Sequence, residues 1–136
     1  MSDKEVFKNA VISAIKSTVR QGKQSLSSNG DECAYRGCNG LRCTLGHMID
    51  DNHYTGAIES TDTDNPLVIL SVINSLGIGA LSEKREGILS ALQSVHDLSG
   101  SYVDFVGLYS SNLKDKVKSG MLPQWTLEGL TNQKAQ

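Results

Sequence analysis

The sequence predicts an all-α fold, a compact single domain built from about four main helices. Three observations carry this. Apolar residues recur at three- and four-residue spacing in separate stretches, those stretches open on capping residues and close near glycines, and no stretch alternates convincingly as a strand would. At 136 residues the chain is the size of one domain and can bury about two-thirds of its unfolded surface without disulfides or metal as staples. Residues 1–136 are therefore read as one helical domain, with a flexible loop at 23–31 and a C-terminal tail from 121.

The first helix runs from Ser2 to Gln21. Ser2 and Glu5 stand at capping-box spacing, Phe7, Val11, Ala14, Ile15 and Val19 share one face, and Gly22 is a natural stop. Lys23 to Gly30 is polar and turn-rich. Next, AYRG and GLRC flank Asn39-Gly40, a dipeptide that favours a small β-hairpin, and Leu41, Leu45, Met48 and Ile49 have the spacing of a short amphipathic helix. Tyr54 to Thr63 reads as loop.

Asn65 can cap a second helix, with Pro66 at its first position, where a missing N–H costs nothing. Leu67, Val68, Ile69, Leu70, Val72, Ile73 and Leu76 make it apolar nearly all round, which places it at the centre of the bundle. Gly77 ends it. Ser82 caps the third helix, with Ile88, Leu89, Leu92 and Val95 inward, Glu83, Lys84, Arg85 and Glu86 toward water, and His96 one turn beyond Leu92. After Gly100 a fourth helix spans about Ser101 to Lys118, with Phe105, Val106, Tyr109, Leu113 and Val117 inward and Gly120 closing it. In the tail, Trp125 between Leu122 and Leu127 suits a segment that lays its apolar side chains on the bundle.

Charge and hydropathy exclude several classes of function. With 13 Lys plus Arg against 15 Asp plus Glu, the net charge of −2 gives no general attraction to nucleic acid or an anionic membrane. Lys114, Lys116 and Lys118 fall on different helix faces and form no strip. The longest apolar run, Pro66 to Ile73, is far short of the roughly 20 residues of a membrane span. The Met1 end lacks the basic and apolar regions of a signal peptide, and three cysteines, an odd count, fit a reducing cytosol.

All three cysteines lie in ECAYRGCNGLRCTLGHMIDDNHY, where three chemistries compete. Cys33, Cys38, Cys43 and His47 could supply the four ligands of a zinc tetrahedron, with His53 or His96 as substitutes, although no CxxC pair fixes two of them on one turn. Alternatively Cys43, near the first turn of the short helix and close to Arg36 or Arg42, could be a low-pKa thiol with His96 as its base. Adjacent helical residues point about 100° apart, so Asp97 is a poor orienter for that imidazole, and Asp50, Asp51 or Glu59 would serve better. Thirdly, the cysteines could pack as small hydrophobes, His96 be a core or capping residue, and Arg36 tie the loop down through carbonyls or Asp50.

The run Cys33-x-Tyr35-Arg36-Gly37-x-Asn39-Gly40-Leu41-x-Cys43-x-x-Gly46-x-x-Ile49-x-Asp51-x-x-Tyr54, with the later Leu92-Gln93-Ser94-Val95-His96-Asp97, resembles a family of small proteins of tailed phages and prophages. The resemblance covers Cys33 to Asp97. It singles out Cys33, Tyr35, Arg36, Cys43, Asp51, Tyr54, His96 and Asp97, whereas Cys38 and His47 look incidental to it. It implies a phage-encoded accessory protein made in the host bacterial cytoplasm, and supplies no mechanism. With no complete catalytic signature and no cofactor motif in view, the expected function is binding that modulates or inhibits a partner. The partner would be a host protein, such as a defence or nucleic-acid-processing factor, with Trp125 or Tyr102 as aromatic anchors. The alternatives are a thiol- or metal-dependent hydrolase of a small molecule using Cys43 and His96, and a zinc-stapled structural domain. A homo-oligomer is compatible with all of them.

Overall fold

The computed structural model describes residues 1–27, 32–61, 63, 65–100 and 104–131. The fold is all-α. Its main helices are α1 (Asp3–Gln21), α2 (Pro66–Leu76), α3 (Glu83–Leu98) and α4 (Phe105–Lys118), with short 3-10 segments between and after them.

The caps follow the local chemistry. Ser2 accepts the Glu5 N–H at the start of α1 (3.2 Å), and Gly22 ends it at φ 71° with its N–H on the Thr18 carbonyl (3.1 Å). Asn65 caps α2, Ser82 caps α3 and Asp104 caps α4, each accepting a first-turn N–H. The start expected for the fourth helix, Ser101 to Val103, lies outside the described residues, as does Tyr102. Phe7, Val11, Ala14 and Ile15 of α1, Leu89, Leu92 and Val95 of α3, and Phe105, Tyr109 and Leu113 of α4 form the core, while Val106 is 38% exposed.

The second helix departs from expectation. Only Val68, Ser71 and Val72 of α2 are buried, and Leu67 and Leu70 are 46% and 47% exposed, so α2 lies at the side of the bundle. It has one packed face, against α1 and the segments at 46–48 and 56–58, and composition alone could not show how many neighbours a helix has. The tail behaves as read: Gln124–Leu130 is a 3-10 segment laid along α1 and α4, with Trp125 partly buried against the core. A Cβ on Gly129 would fall 2.4 Å from the Ile15 side chain, so this contact needs glycine.

Between α1 and α2 the chain is mostly irregular. The hairpin is reduced to one antiparallel bridge, Arg36 with Arg42, closed by Asn39 at φ 60° and Gly40 at φ 77°; a second bridge joins Leu26 and Cys33. The expected short helix is a single 3-10 turn, Gly46–Met48, although Leu45, Met48 and Ile49 are buried. Gly46 sits so close to Tyr35 that a Cβ would lie 1.9 Å from the Tyr35 carbonyl oxygen. Two devices fix this region to the helices. Gln21 of α1 pairs with Arg42 as a strand would, accepting its N–H and donating to its carbonyl, both at 2.9 Å. In the core, hydroxyls of Thr18, Thr44 and Tyr109 form a chain (3.0 and 2.7 Å) joining α1, the loop and α4.

Candidate functional site

The residues singled out from the sequence fall into two neighbouring groups. The first surrounds Arg36. Its guanidinium donates to the Ile49 carbonyl (3.1 Å), pairs with Asp51 (2.8 Å) and lies 4.3 Å from the centre of the Tyr54 ring. Arg42 reaches the same Asp51 oxygen at 3.4 Å. Glu59 completes the group: one carboxylate oxygen accepts the Tyr35 N–H, the other the Arg36 N–H, both at 3.0 Å, and the second also accepts the Tyr54 hydroxyl at 2.6 Å. Burial and the Glu59 charge push the Tyr54 phenol up to about 12, so that hydroxyl remains a donor. Arg36 thus ties the loop down through a carbonyl and Asp51, where Asp50 had been the expected partner; Asp50 is taken by His53 at 2.6 Å.

The second group gathers at the end of α3. His96 is fully buried, with its ring edge-on to Phe105 (5.9 Å between centres). The Ser25 backbone N–H points at Nε2 (3.0 Å), and Nδ1 lies 2.9 Å from the Asp97 carboxylate. A backbone N–H can only donate, so Nε2 is the acceptor and the ring proton sits on Nδ1, directed at Asp97. Asp97 is therefore the partner of His96, against the expectation from helical geometry. Neighbouring Cα–Cβ directions diverge, but Nδ1 is the ring nitrogen nearer the backbone and a short carboxylate can fold back to it. The Gln93 amide also donates to Asp97 (3.0 Å), and Gln24 donates to the His96 and Asp97 carbonyls (3.3 and 3.1 Å) at the end of α3, where the His96 carbonyl also accepts the Ser99 N–H (3.2 Å).

The cysteines separate. Cys38 is exposed, Cys33 half-buried beside Asp97, and Cys43 fully buried. Burial, then the Asp97 charge, pushes the Cys33 thiol up to about 12. Cys43 receives the Gly46 N–H (3.3 Å), the effect expected at a helix start, yet burial outweighs it and this thiol is also pushed up to about 12. The activated, accessible Cys43 thiolate is therefore not present in this geometry. His47 is pushed down to about 4, first by burial and then by the positive charge of Arg42.

No three of the expected zinc ligands Cys33, Cys38, Cys43 and His47 bring ligand atoms within 4.8 Å of one another; among the described residues the one trio that does is Cys33, His96 and Asp97. Sulfur, nitrogen and oxygen make a chemically competent set for zinc. Against it, Nε2 of His96 is occupied by Ser25 and Nδ1 carries the proton, so ligation would first have to break the loop's attachment.

Beside the trio opens a polar cavity of about 310 Å³, lined by Cys33, Tyr35, Thr61, Ser90, Gln93 and Asp97 among others. Hydroxyls, an amide and one carboxylate suit hydrogen bonding to a small polar molecule better than burial of an apolar one. The resemblance singled out Cys33, Tyr35 and Asp97, but sequence reasoning assigned no role to Gln24, Ser25 or Gln93 and offered Glu59 only as a partner for His96. A carboxylate or amide in polar loop sequence carries no signal of its partners. No protein-family model, curated protein or solved structure matches the chain. No helix among the described residues is long and apolar enough to cross a membrane.

Proposed function

We propose that this chain is a phage-encoded accessory protein that acts in the host bacterial cytoplasm by binding and modulating a host protein. The observation that supports a binding role over a thiol hydrolase is the state of the reactive groups. Cys43 is enclosed, and both ring nitrogens of His96 are committed inside the fold. A nucleophile must reach its base and its substrate, and this sulfur is open to neither pocket nor solvent. On this reading Gln24 and Ser25 clamp the loop to the end of α3, and Glu59 holds the Tyr35–Arg36 turn. The phage origin rests on the motif resemblance alone.

Tagged protein expressed in a bacterial host, cross-linked and captured, tests the reading. One host protein should co-purify in near-stoichiometric amount and bind again when the purified components are mixed. A Cys33→Ser/Cys43→Ala variant that keeps its fold should retain that partner. Failure to retrieve any specific partner, or loss of a measurable hydrolytic activity in the cysteine variant, would count against it.

A further inference from the structure

Residues from the N-terminal halves of α1 and α3 and from the tail at Pro123 and Trp125 line a groove of about 310 Å³. Its apolar wall is formed by the partly exposed Pro123 and Trp125, with the buried side chains of Phe7 and Ile88 beneath them. Its rim carries Lys4, Lys8, Lys84 and Arg85 and no acidic residue. None of these four cations is ion-paired among the described residues. Lys8 stands 5.9 Å from the Trp125 ring centre and Arg85 5.9 Å from that of Phe7, at the outer limit of a cation–π contact, which leaves both heads free to engage a ligand. The rim of the groove itself is thus positive beside Trp125, with Asp3, Glu5, Glu83 and Glu86 outside it in the first turns of the same helices.

We propose that this groove is the docking site for an acidic protein segment carrying one large apolar side chain, which rests on the reading of the chain as a binding protein. The apolar walls fit the anchor. Four cations at the rim complement carboxylates on either side of it, the arrangement that steers encounter and fixes register at charged interfaces. The volume is at the lower end for ligand sites and suits one inserted side chain better than a whole cofactor. A nucleic acid strand fits less well. Its charge is continuous and runs on past the four cations to Asp3, Glu5, Glu83 and Glu86, whereas a short segment can confine its few carboxylates to the rim cations.

Trp125 is the only tryptophan, so its emission reports on the groove directly. The titrants are a short Glu- and Asp-rich peptide with one central leucine, the same peptide with serine for leucine, a lysine-rich counterpart, and oligothymidylate. The acidic leucine peptide should shift the Trp125 emission saturably and bind more weakly as salt rises. Serine for leucine should weaken it about tenfold or more, and Lys84→Glu/Arg85→Glu, with its fold verified by circular dichroism, about tenfold. Equal binding of the lysine-rich peptide, tighter binding of oligothymidylate, or an unchanged affinity in the charge-reversal variant would overturn the proposal. A host partner captured equally by wild type and the charge-reversal variant would overturn the groove while leaving the binding reading intact. Peptide binding that meets these expectations, without any host capture, would support the groove and remove the wider reading's main support.

Discussion

Replacing Glu59 by Gln tests whether the Tyr35–Arg36 turn is held as described. The carboxylate accepts two backbone N–H groups and the Tyr54 hydroxyl. Hydrogen bonds to a charged acceptor contribute about 1.5–3 kcal/mol each, toward the low end where water can substitute, as at this half-buried site. Glutamine keeps the shape and one carbonyl oxygen but turns an NH2 group toward at least one of the two N–H donors. One charge-assisted bond is lost, a donor is set against a donor, and the remaining bonds weaken. The expected loss is about 2–3 kcal/mol. Urea unfolding at pH 7, followed by far-ultraviolet circular dichroism, should show an unchanged slope and a midpoint lower by about 1.3–2 M, for a slope of about 1.5 kcal/mol per molar. Amide exchange at Tyr35 and Arg36 should quicken in the variant. A loss below about 0.5 kcal/mol, the scale of an ordinary surface substitution, would refute the reasoning.

Three further outcomes follow from the site. In the native protein at neutral pH, one of the three thiols, Cys38, should react promptly with an aromatic disulfide reagent, and all three after denaturation; prompt labelling of Cys43 would contradict its enclosure. His47, pushed down to about 4, resists protonation in the folded state while the unfolded chain takes up its proton near the ordinary value of 6.5. Stability should therefore fall as pH drops from 6.5 toward 4, by about 1–2 kcal/mol after allowing for partial exposure, and wild type minus His47→Gln isolates this share. Nitrogen-15 spectra should show His96 with its proton on Nδ1; a proton on Nε2 would mean that Ser25 does not hold the ring.

Much of the fold could be read locally because caps and apolar periodicity are local properties. Ser2, Asn65 and Ser82 act where they stand, and Gly22 and Gly77 adopt the left-handed backbone that ends α1 and α2. The position of α2 could not be read, since seven apolar residues in its sequence say nothing of how many neighbours surround it, and it has them on one side. The candidate site was half legible. Arg36, Asp51 and Tyr54 lie close along the chain and do come together, as do Cys33 and Asp97. Their supporting partners Gln24, Ser25 and Glu59 are ordinary polar residues whose roles exist only once distant segments meet. Cys43 differs from the low-pKa alternative for a related reason: the N–H at its sulfur follows from local geometry, but the burial that outweighs it comes from the whole core.

The attachment of Gln24 and Ser25 to the end of α3 also bears on the order of events in folding. Those hydrogen bonds connect residues 71 to 73 positions apart, so nothing in the nascent loop can form them until the far end of α3 is helical and in place. The loop should then settle after the main barrier has been crossed. Gln24→Ala should speed unfolding about fivefold, for about 1 kcal/mol lost, and leave the refolding rate nearly unchanged in stopped-flow measurements. The clamp would act as a latch, closing last and opening first, and the lifetime of the folded protein would depend on it more than the speed of its assembly does.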